Sequence, residues 1–265
     1  DLRTSRGLGD VYKRQIQVVM GLSGSGKSTL IRHINRLIEP TDGSVTVDGD
    51  EVLKMNEEQL RSFRRSKTAM VFQRFALLPH KTVLQNTIFG LHIQNIAEED
   101  AKKSALRWIE RVGLSGYEDK YPQHLSGGMQ QRVGLARALT NDGDILLMDE
   151  AFSALDPLIR KDMQDILLEL QDELHKTVVF ITHDLDEALK IGDRIAILKD
   201  GIMDQEGIPA EILLNPKTKY VKDFVEDVNR ARVIKAKHIM NEINGQDLSG
   251  AMPIAVSYTH LTLPT

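Results

Sequence analysis

Residues 21–29 read Gly-Leu-Ser-Gly-Ser-Gly-Lys-Ser-Thr, and this stretch decides the fold. Gly21, Gly26, Lys27 and Ser28 occupy the fixed places of the pattern glycine, any four residues, Gly-Lys-Ser/Thr, whose backbone cradles phosphates. We call residues 21–29 the phosphate loop. A plain glycine-rich turn is the alternative, and the flanking sequence decides between the two interpretations.

The flanking sequence predicts that the phosphate loop joins a buried strand to a helix. Residues 16–20 form an apolar run, and Leu30, Ile31, Ile34 and Leu37 recur at helical spacing behind the loop. The N–H groups of such a loop and of the following helix start form a nest for anionic oxygens. The stretch therefore predicts binding of a nucleoside triphosphate.

Residue types within the loop suit this role. Gly24 and Gly26 permit a positive φ and a close approach of the backbone to phosphate. The Lys27 ammonium is expected to reach the β- and γ-phosphates, and the Ser28 hydroxyl to ligate Mg²⁺. The loop residues expected to bind nucleotide are Gly21, Ser23, Gly24, Ser25, Gly26, Lys27, Ser28 and Thr29.

Composition excludes several classes of protein. The 265 residues carry a net charge of −4, which does not favour a surface that binds nucleic acid. Without cysteine the chain forms no disulfide and no thiol-based site. No apolar run approaches the roughly 18 residues that a membrane-spanning helix needs, so a role at a membrane would require a partner.

The two ends of the chain can be encoded by related DNA sequences. Residues 10–15 can be encoded by a DNA word whose reverse complement, in another frame, encodes residues 256–260. The word resembles a transposase-based sequencing adapter. We therefore expect residues 1–15 and 256–265 to be non-native translation, and the native part to be a fragment truncated at both ends.

Strands alternate with helices along the chain, which predicts an α/β fold with a central, mostly parallel sheet. Ligands are then expected at the carboxyl ends of the strands. Residues 74–90 are predicted to be a loop. Strands are predicted at 16–20, 44–47, 68–72, 145–148, 178–182, 194–198 and 202–205, and helices at 57–65, 98–112, from Pro157 and at 186–191.

Two adjacent carboxylates, Asp149 and Glu150, end the apolar run 145–148. Burying them is costly unless a cation or a water is bound there. Since a phosphate loop lies upstream, we expect Asp149 and Ser28 to hold Mg²⁺, and Glu150 to polarise the attacking water. A pair of helix-capping carboxylates in a turn is the alternative.

A second anion site is predicted at Leu125-Ser126-Gly127-Gly128, where a helix starts with almost no side chain. Alone, such a segment would be a helix start and nothing more. Together with the phosphate loop, the carboxylates and the following Gln-Arg and Ala-Arg-Ala-Leu runs, it resembles the signature segment of ABC transporter ATP-binding subunits. The resemblance covers nearly all of residues 16–233.

The resemblance implies a P-loop ATPase with a helical subdomain at about 74–140. Two copies would form a head-to-tail sandwich, in which ATP on one phosphate loop is closed over by the partner's Ser126, Gly127 and Gly128. Gln73 would contact Mg²⁺ and the attacking water, and His183 the γ-phosphate. Residues 153–156 would cross the interface, with Asp156 near the nucleotide. The expected catalytic residues are Lys27, Gln73, Glu150 and His183, and the expected metal-binding residues are Ser28, Gln73 and Asp149.

Local runs at 20–43, 150–160 and 183–194 look like those of glycine betaine/proline importers. The resemblance then implies a cofactor set of ATP and Mg²⁺, a separate membrane permease, an indirect solute-binding protein and a place on the cytoplasmic face of the membrane. Residues 75–79 are an expected permease contact, with satellite core as the alternative. Other amino-acid importers, non-transport ABC ATPases and nucleotide-sensing modules stay open as rival functions.

The expected domain organisation follows from the same resemblance. An ABC ATPase domain would span 16–229, and 230–255 would begin a CBS-like regulatory region. Members of the family carry an adenine-stacking aromatic residue on a strand pair before the phosphate loop; we expect that strand pair to be missing from this fragment, since Tyr12 lies in the expected adapter segment.

Overall fold

The computed structural model describes residues 14–73 and 76–226. The expected regulatory region at 230–255 and the expected adapter segment at 256–265 lie outside the described residues. Residues 1–13 of the other expected adapter segment and Phe75 of the expected permease contact also lie outside them.

A six-stranded sheet organises the described part of the chain, and its spatial order differs from the sequence order. Five neighbouring strands are parallel, and the sixth, at one edge of the sheet, pairs antiparallel with its neighbour. The prediction of a mostly parallel sheet is confirmed. In spatial order the strands are β4 (Thr68–Phe72), β5 (Ile145–Asp149), β6 (Thr177–Thr182), β1 (Ile16–Met20), β7 (Arg194–Lys199) and β8 (Ile202–Gly207), while β2 (Thr46–Val47) and β3 (Asp50–Glu51) form a separate hairpin.

Continuous apolar sequence explains why the parallel strands are central. All of β1 is buried, as is typical of strands covered by helices on both faces. The register aligns the carboxyl ends, because Met20 pairs with Thr182, and Asp149 pairs with both Ile181 and Phe72. The residues that follow these strands therefore emerge at one edge of the sheet.

Some helices pack against the sheet, and others pack mainly against one another. The helices are α1 (Lys27–Ile34), α2 (Glu57–Ser66), α3 (Val83–Ile93), α4 (Glu98–Arg111), α5 (Gly127–Thr140), α6 (Pro157–Leu174), α7 (Leu185–Ile191), α8 (Pro209–Leu214) and α9 (Lys219–Val225). Among the residues that the structure describes, none of these helices has the length and apolarity needed to cross a bilayer.

Helices α3, α4 and α5 pack against one another within residues 74–140. Ile88 and Leu91 of α3 share a core with Ala101 and Ala105 of α4. Trp108 of α4 is 5% exposed and is therefore a core residue. Helix α5 also packs against β4, so this group is attached to the edge of the sheet.

The predicted loop at 74–90 is wrong from residue 83 onward, where α3 begins. Thr82 and Gln85 form a capping box, in which each side chain accepts a hydrogen bond from the other residue's N–H group. The buried Asn86 side chain holds the preceding turn through the backbone of Leu78 and Lys81. Apolar residues occur around much of α3, so it lacks the one-sided pattern by which a surface helix is recognised.

Helix α1 is shorter than the spacing of its apolar residues suggests. The left-handed backbone of Arg36, with φ of 52°, terminates it, and Leu37 is exposed beyond its end. The first predicted strand of the small hairpin is also shorter, since only Thr46–Val47 pairs with Asp50–Glu51.

Candidate nucleotide-binding site

The phosphate loop has the backbone that its glycines predict. Gly24 and Gly26 have φ of 84° and 92°, and Gly26 is the N-cap of α1. At Gly21, with φ of 154°, a Cβ would lie 2.2 Å from the Leu198 carbonyl oxygen. Glycine is therefore required at Gly21 both by conformation and by space.

Lys27 extends back across this loop. Its Nζ donates to the carbonyl oxygens of Gly21 and Leu22, both at 2.9 Å, and the side chain is 4% exposed. Burial lowers the pKa of Lys27, and the nearby Glu150 and Asp149 partly oppose that shift. The buried ammonium lacks the solvation it would have in water, which favours an anionic ligand beside it.

Ser25 provides an independent sign of an anion-binding cradle. Its side chain is 4% exposed, and its Oγ has no hydrogen-bond partner among the described residues. A buried hydroxyl left without a partner is costly, so a ligand oxygen at this loop would satisfy it. Ser23 and Thr29 are exposed on the loop surface, where their predicted contacts with nucleotide stay predictions.

Asp149 lies at the end of β5 and is 3% exposed. Its Oδ1 accepts a hydrogen bond from Ser28 Oγ at 2.7 Å, and its Oδ2 pairs with Arg32 Nη2 at 3.0 Å. The described residues contain no cluster of three or more metal-binding His, Cys, Asp or Glu side chains. One carboxylate and one hydroxyl suit Mg²⁺, which usually completes its shell with water and phosphate oxygens. Sequence reasoning did not identify Arg32.

Glu150 gathers the remaining polar side chains at this edge of the sheet. Its Oε2 accepts from Gln73 Nε2 at 3.3 Å and lies 3.4 Å from His183 Nδ1. Its Oε1 lies 4.0 Å from Lys27 Nζ. The Glu150 backbone is left-handed, with φ of 46°, which turns this residue out of the strand direction. The cluster can therefore orient a water beside a bound phosphate.

The geometry is accompanied by a match of residues 8–153 to the ABC transporter family. The chain belongs to the ABC transporter family. It is 62% identical over 231 residues to the glycine betaine transport ATP-binding protein OpuAA of Bacillus subtilis, which covers 87% of this chain and 55% of OpuAA. It is 57% identical over 230 residues to the glycine betaine/carnitine transport ATP-binding protein GbuA of Listeria monocytogenes, which covers 87% of this chain and 58% of GbuA.

This ABC chain thus spans about half the length of these curated relatives. A solved structure shares its fold, namely the dimeric ATP-binding cassette MJ0796 bound to ADP and Pi. That cassette is 36% identical, with a TM-score of 0.70 over 76% of this chain and 88% of the cassette. The ABC ATPase fold expected from the sequence is confirmed.

The segment that resembles the ABC signature, which we call the signature segment, lies at the start of α5. Ser126 is the N-cap and accepts a hydrogen bond from Met129 N–H at 3.3 Å, and Gly127 is exposed. A Cβ on Gly128 would lie 2.6 Å from Ile159 Cγ2, so Gly128 allows α5 to approach the first turn of α6. The first N–H groups of α5 are thus presented with little side chain around them.

Residues 153–156 connect the Glu150 cluster to α6. Ser153 Oγ donates to the Glu150 carbonyl oxygen at 2.9 Å and accepts from Gln73 at 3.3 Å. Asp156 caps α6 by accepting from the N–H groups of Leu158 and Ile159 at 3.2 and 3.1 Å. Asp156 is therefore a helix cap, and its expected place near nucleotide stays a prediction.

Arg160 is a further residue that sequence reasoning did not identify. Its Nη2 donates to the Leu155 carbonyl oxygen and its Nη1 to Asp184 Oδ2, each at 3.1 Å. Asp184 follows His183 and caps α7, so one guanidinium joins the 153–156 segment to the His183 turn. Its partners are a distant carboxylate and a carbonyl group, which no local sequence pattern reveals.

Proposed function

We propose that this protein is the ATP-hydrolysing subunit of an ABC importer for quaternary amine osmolytes such as glycine betaine. The observation that carries the proposal is the 62% identity to OpuAA over 231 residues. A trimethylamine N-oxide transport ATP-binding protein, TmoW of Pelagibacter ubique, is also 52% identical over 240 residues. These relatives are named for small solutes that carry a methylated nitrogen.

The chain's own residues supply the chemistry of hydrolysis. Lys27 would turn its ammonium from the loop carbonyls towards the β- and γ-phosphates and neutralise developing charge. Glu150 would accept a proton from the attacking water, which Gln73 and His183 would help to orient. Ser28 and Asp149 would hold Mg²⁺, which supplies electrostatic stabilisation when bound.

Two copies of the chain would be needed for a complete site. The phosphate loop and the signature segment each offer N–H groups to anionic oxygen, and head-to-tail pairing would direct both at one triphosphate. The dimeric state of the MJ0796 cassette supports this arrangement. We further propose a membrane permease as the stable partner, a solute-binding protein as an indirect one, and peripheral attachment at the cytoplasmic face.

The expected permease contact at residues 75–79 contains two leucines that are partly accessible. Leu77 and Leu78 are half-buried, and Leu78 is tied to Asn86 through its N–H and carbonyl groups. Both the contact and its alternative, satellite core, remain consistent with this partial burial.

A methionine importer is the second candidate, because MetN of Staphylococcus saprophyticus is 45% identical over 209 residues. Its permease and binding protein would select a thioether amino acid instead of a methylated amine. The lower identity favours the first candidate.

The test is solute uptake by the intact system. The full-length gene product would be reconstituted with its permease and binding protein in proteoliposomes, and uptake of radiolabelled glycine betaine followed with and without ATP. We expect ATP-dependent uptake that excess proline betaine inhibits and excess methionine does not, with Glu150→Gln as the inactive control. Methionine uptake would select the second candidate, and hydrolysis that drives neither solute would refute both.

A further inference from the structure

The hydroxyl group of Tyr220 contacts the phosphate loop directly, although Tyr220 lies in α9 near the end of the described residues. It accepts a hydrogen bond from the Leu22 N–H at 3.2 Å and donates one to the Leu198 carbonyl oxygen at 3.3 Å. The donor and acceptor capacities of the hydroxyl are therefore both used by these two backbone groups. The hydroxyl therefore bridges the loop and the end of β7.

The end of β7 and the turn after it lie in close contact with the phosphate loop. The Leu198 carbonyl oxygen is the atom that a Cβ on Gly21 would strike. The turn after β7 adds a second support, since Gly201 N–H donates to the Ser25 carbonyl oxygen at 3.1 Å. Tyr220 thus fastens the first residues of the loop to a surface that already fits them closely.

Lys27 also holds Leu22, together with the neighbouring Gly21. Its ammonium binds the carbonyl oxygens of Gly21 and Leu22, each at 2.9 Å. When Lys27 turns to a phosphate, those carbonyl groups lose its hydrogen bonds. The Tyr220 hydroxyl then remains attached to Leu22 while the loop carries the anion.

We propose that Tyr220 is a positioning residue that fixes residues 21–22 of the phosphate loop in their nucleotide-binding conformation. The inference rests on the proposed ATPase function and adds to it a tether from outside the known motifs. Tyr220 acts through the loop backbone, so it supports binding of ATP rather than the reacting atoms.

The ring of Tyr220 is held independently of its hydroxyl. It makes an edge-to-face contact with Phe224, with centroids 5.0 Å apart, and Lys199 Nζ lies 5.2 Å from its centroid. Tyr220→Phe should therefore keep the ring in place and remove one oxygen atom. This makes the substitution a clean probe of the bridge.

The test measures ATP binding and turnover on the full-length protein by calorimetry and by phosphate release. Losing the bridge is expected to weaken ATP binding by about two- to tenfold, the scale of one net hydrogen bond. KM for ATP should rise in parallel, while kcat at saturating ATP stays within about twofold. Tyr117→Phe, which removes the hydroxyl of an exposed tyrosine far along the chain, is the matched control and should bind ATP as the wild type does.

A second variant separates positioning from helix stability. Phe224→Leu loosens the packing of α9 but keeps the hydroxyl, so it should lower Tm more than Tyr220→Phe while weakening ATP binding less. The reverse order, or an unchanged ATP affinity in Tyr220→Phe, would overturn the inference. A wild-type protein that binds no ATP would instead contradict the proposed function.

Discussion

The two regions of this chain that are expected to bind anions are built differently. At the strand ends, Lys27 and Asp149 are buried and hydrogen-bonded by other side chains or by the loop itself. At the signature segment, Ser126 caps its own helix and Gly127 is exposed. The first region is organised within one chain, whereas the second presents its N–H groups outward.

This difference shows which groups offset the free-energy cost of burying charged side chains. The charged side chains at the strand ends are hydrogen-bonded by several elements of one chain. Asp149 of β5, for example, contacts Ser28 and Arg32 of α1. The signature segment needs only a short side chain and a helix start, since its partial positive charge comes from the backbone. Substitutions should therefore affect the two regions in different ways.

The largest effect is expected from Glu150→Gln at the strand ends. The substitution keeps the shape of the side chain but removes the proton acceptor beside Gln73 and His183, so hydrolysis should fall about 10²–10⁴-fold. ATP binding should persist, because the phosphate loop is unchanged. Phosphate release and equilibrium ATP binding on the full-length protein are the measurements, and wild-type turnover would refute the assigned role.

The next largest effect is expected from a substitution at the signature segment. Gly127→Asp places a negative charge where we expect the partner's triphosphate, and hydrolysis should fall about 10–10²-fold. The fold should persist, since an acidic residue in the first turn of a helix contributes about 0.3–1 kcal/mol of stability. Turnover and thermal unfolding are measured together; a collapsed fold would show that the segment is structural instead.

Mixing the two defects tests whether the regions meet across two copies. Lys27→Ala chains are expected to be nearly inactive alone, and Gly127→Asp chains to keep about 1–10% of the turnover. In a mixed dimer, one intact phosphate loop faces one intact signature segment, so mixing should restore a substantial part of the turnover. No recovery, despite dimers that form normally, would contradict the head-to-tail arrangement.

A smaller effect is expected where Arg160 joins Leu155 to Asp184. Lysine cannot make both hydrogen bonds of the guanidinium group, so Arg160→Lys should lower kcat about three- to tenfold with little change in KM. Lys190→Met is the control, since it breaks the 2.7 Å ion pair with Asp165 between the same two helices. Equal losses in the two variants would show that general helix packing, rather than the His183 turn, is responsible.

The smallest effect concerns Glu187 of α7, whose carboxyl group is hydrogen-bonded to the side chain of Thr182 at the end of β6. It is 5% exposed and accepts from Gln164 Nε2 at 3.0 Å, and burial raises its pKa above the ordinary value of 4.5. The folded state therefore holds this proton more tightly than the unfolded state. The resulting contribution to stability is complete below pH 4.5 and is lost as pH rises through the raised pKa.

Glu187→Gln imitates the protonated form at every pH. At neutral pH the variant should be more stable by about 1 kcal/mol, or about 2–4 °C in Tm. Below pH 4.5 that advantage should vanish. Thermal unfolding of both proteins across pH 4–8 measures it, and a constant difference across that range would rule out Glu187 as its source.

Much of the strand-end region is predictable because its residues stand at fixed offsets from apolar runs. Lys27 and Ser28 belong to a pattern of fixed spacing, and Asp149 and Glu150 end a strand that is recognisable by itself. The register of a parallel sheet then brings them to one edge. Gln73 and His183 follow strands in the same way, although their roles rest on family resemblance.

Other residues escape this reasoning for a physical reason. Arg32, Arg160 and Tyr220 act through long side chains on partners distant in sequence, and two of them bind backbone groups that any residue would offer. Helix α3 was missed for a different reason, since its burial removes a clear polar face. The Thr82 and Gln85 capping box was the signal that could have identified its start.

The left-handed backbone at Glu150 has a consequence for how such proteins can evolve. A side chain other than glycine in that conformation costs on the order of 1 kcal/mol, because Cβ crowds the adjoining carbonyl group. Glycine would relieve the crowding and abolish the chemistry at once. Durability and turnover therefore make opposite demands at this single position, since the residue that best fits the backbone cannot accept a proton.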